Sequence, residues 1–66
     1  MLKGEVVFFN ERKNFGTIMA DGNIYFFHKK DVKSGIINDG DKVGFRQRQG
    51  NINNLSAYDI SKLNIS

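Results

Sequence analysis

The sequence predicts an all-β domain in which five short antiparallel strands close into a barrel. Short runs rich in β-branched and aromatic residues alternate with clusters of Gly, Asn and Asp at fairly even spacing, and no stretch sustains a 3.6-residue apolar period. A chain of 66 residues buries only about 60% of its unfolded surface, so closure into a barrel is the economical way to remove exposed edges. One domain over 1–66 is expected, with no repeat, low-complexity tract or linker.

Leu2 to Phe9 reads as the first strand, and the polar segment Asn10 to Asn14 as the turn after it. Phe15 to Ala20 and Ile24 to His28 form a hairpin across Asp21-Gly22-Asn23, because Asp-Gly supplies the positive φ angles that a two-residue hairpin turn needs. His28 to Asp41, with three lysines and two glycines, is a loop with a helical turn near Asp31 to Ser34. Lys42 to Arg48 resumes strand character, Gln49-Gly50-Asn51 turns the chain, and the last strand lies near Leu55 to Leu63.

Ten Lys and Arg against seven Asp and Glu give a net charge of +3 and a pI near 9.5. That balance permits a polyanionic partner without establishing one. The absence of cysteine removes disulfides and thiolate metal sites. No apolar run approaches the ~20 residues that span a bilayer, and no signal peptide is visible, so a cytoplasmic location is expected and no membrane. The triplets Asn54-Leu55-Ser56 and Asn64-Ile65-Ser66 are read as chance sequon matches. Catalysis is not expected. There is no cysteine nucleophile, and Gly35 to Gly40 has the glycine interval of a phosphate loop but Asp41 where its lysine would stand. His28, without a second His or Cys, predicts no metal, and no cofactor is implied.

Six of the eight aromatic residues, Phe8, Phe9, Phe15, Tyr25, Phe26 and Phe27, fall in the first 27 positions. So small an interior cannot hold them all, and aromatic rings left on a surface mark a binding site. Rings flanked by cations suit single-stranded nucleic acid, whose bases stack while Lys and Arg track the phosphates. The period of two puts Phe15 and Thr17 on one face of the second strand and Ile18 on the other. Ile18 belongs to the core, so Phe15 faces out. In the third strand His28 is costly to bury, which places Phe26 and His28 outside and Tyr25 and Phe27 inside. Arg12 and Lys13 precede this platform and Lys29, Lys30 and Lys33 follow it, offering cations at both rims. The plainer reading makes Phe15 and Phe26 core residues and the lysines a solvated rim. Alternation in the first strand leaves open which of Phe8 and Phe9 faces out.

Lys3-Gly4-x-Val6-x-Phe8-Phe9-Asn10-x-x-Lys13-x-Phe15-Gly16-x-Ile18, followed by Phe26-x-His28, resembles the cold shock domain family in the order and spacing of its two ribonucleoprotein motifs. Gly40-Asp41-x-Val43-x-Phe45 and Ala57-x-x-Ile60 resemble its fourth and fifth strands. The resemblance covers essentially the whole chain. It implies a five-stranded antiparallel oligonucleotide-binding (OB) barrel that binds single-stranded RNA or DNA, melts RNA secondary structure as a chaperone, and so influences transcription or translation. By that resemblance Phe8 occupies the place of a stacking tryptophan, and Phe15, Phe26 and His28 match stacking positions. Asn10 and Lys13 match polar contacts to base and phosphate. Lys29 and Lys30 complete the expected binding set. A monomer is expected, with strand exchange a conceivable route to a dimer.

The sequence also departs from the family pattern. Thr17 and Lys29 stand where phenylalanines are usual, Asn14 replaces a glycine, and Glu5 and Val7 replace residues that are commonly basic. The loop after His28 is shorter and lacks a further stacking phenylalanine. Fewer platforms imply a binder that leans on phosphates, with Lys29, Lys30, Arg46 and Arg48 compensating, and so on low salt. The alternative is a barrel that has lost nucleic-acid binding and uses its exposed rings for a partner protein or a second copy.

Overall fold

The computed structural model describes residues 1–33, 35–48 and 55–63. Five strands, β1 (Leu2–Asn10), β2 (Phe15–Ala20), β3 (Asn23–His28), β4 (Lys42–Arg48) and β5 (Ser56–Lys62), close into a barrel of order β1-β2-β3-β5-β4. Each strand falls where the residue pattern expects it, to within a residue at the ends. β1, β2 and β3 form an antiparallel meander, and β4 lies antiparallel on the other edge of β1. β5 fills the gap, antiparallel to β4 but parallel to β3 through Phe26 and Ser56. The sheet is therefore mixed and not purely antiparallel as expected. The reason is arithmetic: strands that alternate in direction cannot do so all the way round a ring with an odd number of members.

The β2–β3 turn takes the form its sequence demands. Asp21 has φ 51° and Gly22 φ 78°, the paired positive angles of a type I′ turn, and Ala20 faces Asn23 across it. The helical turn lies earlier than expected, as a 3₁₀ turn over Lys29–Asp31 directly after β3. His28 sets it there, because its Nδ1 accepts from the backbone N–H of Lys30 at 3.3 Å and caps the turn. The expected turn at Gln49-Gly50-Asn51 lies outside the described residues.

The interior is apolar. Val6, Ile18, Val43, Phe45, Ala57 and Ile60 are essentially fully buried, and Tyr25, Phe27 and Ile37 join them. Tyr25 meets Phe45 edge to face, with centroids 5.0 Å apart and planes at 62°. Gly16 admits a ring that no other residue would. A Cβ there would lie 2.7 Å from Cζ of Phe27 and 2.5 Å from the carbonyl oxygen of Phe8. The loop before β4 is fastened to β1 by Val6 N–H to Asp41 O at 2.9 Å and Gly40 N–H to Val6 O at 2.7 Å. Beyond that point no strand among the described residues pairs with this edge of β1, and the Asp39 carboxylate accepts the Phe9 N–H at 3.0 Å in place of a ladder partner.

Candidate nucleic-acid interface

Strand register, more than any single residue, builds the outer face of β1–β3. Residues paired across antiparallel strands share a face. Asn10 pairs with Phe15 and Phe15 with His28, so these three form one outward row. Phe8 pairs with Thr17 and Thr17 with Phe26, forming a second row beside it. The inward rows between and beyond them are Phe9, Gly16 and Phe27, then Val6, Ile18 and Tyr25. The orientations expected for Phe15, Phe26 and His28 are those observed.

Which of Phe8 and Phe9 faces out is settled by an irregularity. The β1–β2 register shifts between Val6 and Phe8, leaving Val7 as an extra residue. After that bulge Phe8 faces out and lies 5.6 Å from Phe15, planes at 39°. Phe9 turns in and stacks on Phe27, centroids 5.8 Å apart with planes at 8°. Phe26 is the most open ring, 53% exposed. The hydrogen bond from Lys30 to Nδ1 of His28 assigns the neutral ring's proton to Nε2, a donor with no partner among the described residues at the edge of the platform.

The polar residues divide by task. Asn10 Oδ1 accepts from the N–H groups of Arg12 at 3.0 Å and Lys13 at 3.1 Å, folding the β1–β2 turn, while its amide nitrogen has no partner among the described residues. Asn14, in place of a glycine, sits at φ 60°, a left-handed conformation that asparagine tolerates better than most residues. Its carbonyl accepts from Lys29 N–H at 2.8 Å. That bond joins the β1–β2 turn to the 3₁₀ turn, so Arg12 and Lys13 gather with Lys29 and Lys30 at one end of the platform instead of at two rims. All four are exposed. The loop that lacks a phenylalanine presents Ile36 instead, 78% exposed beside a cleft of about 540 Å³ whose lining includes Phe9, Lys29 and Val32.

The second outward row does not stop at β3. Phe26 pairs with Ser56 and Ser56 with Arg48, which carries the row onto β5 and β4. Arg48 lies over the ring of Tyr58 at 5.2 Å and reaches Asp31 Oδ1 at 3.5 Å. Tyr58 had no signal in the sequence beyond its being aromatic in a strand. Its outward face follows only from its pairing with Arg46.

A solved structure described as "drosophila Unr CSD456" superposes on this barrel with a TM-score of 0.77 at 27% identity, over 96% of the chain. The chain folds as a cold shock domain. It spans 26% of the length of that Drosophila chain. No protein-family model matches the sequence, and no curated protein matches it. The likeness to that cold shock domain supports a nucleic-acid-binding domain in general, and the two outward rows lie on the β1–β3 meander of that fold. Among the described residues no helix of this cold shock domain is long and apolar enough to cross a membrane.

Proposed function

We propose that this cold shock domain, acting over residues 1–66 as one unit, binds single-stranded RNA or DNA across the outer face of β1–β3. Bases stack on Phe8, Phe15, Phe26 and His28, Asn10 contributes a polar contact from its amide, and Lys13, Lys29 and Lys30 hold phosphates. The observation that carries this reading is the pair of adjacent outward rows, Asn10-Phe15-His28 and Phe8-Thr17-Phe26, in which three phenylalanines and a histidine share one outer face, Phe26 and His28 exposed and Phe8 and Phe15 half-buried. Binding of that kind fits a cytoplasmic RNA chaperone or regulator of transcription or translation, working as a monomer without catalysis, metal or cofactor. Thr17 interrupts its row, so phosphate contacts carry more of the affinity, and binding should weaken steeply with salt.

Fluorescence anisotropy of labelled single strands, pyrimidine-rich and mixed, in RNA and DNA forms at two salt concentrations with a duplex control, tests this. Single-strand binding that exceeds duplex binding and falls with salt supports it. No binding at low salt overturns it. One observation favours a second reading. Val7, Met19 and Ile24 are 50%, 43% and 40% exposed, with Met19 and Ile24 paired on the same outer face beyond the aromatic rows. An interaction module would use that apolar end, and sedimentation of the chain with Met19→Lys as control distinguishes the two.

A further inference from the structure

We infer that the single-strand path does not end at Phe26 but continues across Ser56 to a further base site formed by Tyr58 and Arg48. The inference rests on the proposed nucleic-acid reading and extends it to the far side of the barrel seam.

Three observations support it. Register makes Phe26, Ser56 and Arg48 one continuous outward row over β3, β5 and β4. A groove of about 270 Å³ lies along that row, lined by Phe26, His28, Lys30, Asp31, Ser56 and Arg48 among others, so the platform opens directly into it. Ser56, half-buried at mid-row, is the smallest side chain of the three. At its end the Arg48 guanidinium lies 5.2 Å from the Tyr58 ring centroid and 3.5 Å from Asp31 Oδ1, held from two sides while remaining 54% exposed.

A guanidinium so held presents a plane on which a base stacks and N–H groups that meet a phosphate or a base edge. Arg46 flanks Tyr58 in the ladder, and its charge is shared with Asp59, 3.7 Å away, which also pairs with Lys33 at 3.1 Å. The surroundings are cationic on balance: Lys30, Lys33, Arg46 and Arg48 against Asp31 and Asp59. That sign suits a polyanion leaving the platform but would also attract an acidic protein segment, so it is continuity with the aromatic rows that selects nucleic acid as the occupant.

The test is a length series. Oligothymidylates and oligouridylates of about 4 and about 10 nucleotides bracket the lower part of the roughly 4–16 nucleotides an OB fold engages. Tyr58→Ala is expected to weaken the longer strand by about fivefold or more, in line with roughly 1–3 kcal/mol per stacked base, and to leave the shorter within about twofold. Tyr58→Phe should keep both affinities. Arg48→Ala should weaken the longer strand more than the shorter, and Arg48→Lys should recover part of that loss. Thermal melting of each variant checks the fold, and if Tyr58→Ala fails to fold, the Arg48 pair gives the answer alone. Equal effects on the two lengths, or none, overturn the extended path while leaving the platform intact. Failure of the unmodified protein to bind either length overturns the platform reading instead, and this inference with it.

Discussion

Phe9 and Phe27 lie parallel, planes within 8° and centroids 5.8 Å apart, directly beneath the outward rows and above the gap at Gly16. The platform thus rests on an aromatic stack that a single added methyl would disturb. Gly16→Ala would bring its Cβ to 2.7 Å from Phe27 Cζ and 2.5 Å from a backbone oxygen, and the backbone cannot swing aside. Overpacking of this kind costs about 1–3 kcal/mol. Urea unfolding should show a lowered midpoint with an unchanged slope, and a midpoint equal to that of the unmodified protein would contradict the close packing.

Phe26→Ala removes a ring that is 53% exposed and makes no ring contact among the described residues. Stability should change little. Single-strand affinity should fall by about 1–3 kcal/mol, the worth of one stacked base. Titration alongside a melting curve separates the two, and a lowered melting temperature with unaltered affinity would return Phe26 to a packing role.

Thr17 stands between Phe8 and Phe26 in an otherwise aromatic row. Thr17→Phe should tighten single-strand binding by about 1 kcal/mol or more and flatten its dependence on salt, since stacking would then supply affinity that the proposed reading assigns to phosphate contacts. Unchanged affinity in that variant would show that the strand does not cross the middle of the row.

Asp39 serves β1, its carboxylate accepting from Phe9 N–H, and adds negative charge beside a hollow lined by Phe8, Asn10, Glu11 and Arg12, where the proposed strand would pass. Asp39→Asn keeps an acceptor and removes the charge, so it should preserve most of the stability and strengthen binding at low salt. Asp39→Ala removes both, and should lose about 0.5–1.5 kcal/mol of stability from the missing hydrogen bond. Equal stability in the two variants, measured by urea denaturation, would mean that the hydrogen bond contributes nothing.

The parts of this structure that were legible in the sequence are those decided by local chemistry. Asp21-Gly22 fixed the β2–β3 turn and with it the whole register of that hairpin, and the polarity of His28 together with Ile18 oriented both of its strands. Phe8 and Phe9 resisted because the bulge at Val7 shifts the phase of alternation, and a bulge leaves no mark in the pattern of apolar residues. The 3₁₀ turn was displaced because its cap is the imidazole of His28, a residue read for its surface role alone. The parallel β3–β5 pairing and the outward row it completes depend on which distant strands meet, so Ser56 and Tyr58 could not be placed beside Phe26 from spacing along the chain.

The barrel's seam lies where β3 meets β5, and among the described residues it has one paired position in the ladder, with Phe26 N–H to Leu55 O at 3.0 Å and Lys33 N–H to Ile60 O at 2.7 Å beside it. The β1–β2 and β2–β3 ladders, in contrast, run five and six residue pairs. Local opening follows the sparsest set of bonds, so amide exchange should be fastest along this edge. Phe8, Phe15, Phe26 and His28 all belong to the meander on one side of it. On the proposed reading, a strand held there would ride on the half of the barrel with the longer ladders, and a strand reaching Arg48 would act as a suture across the opening.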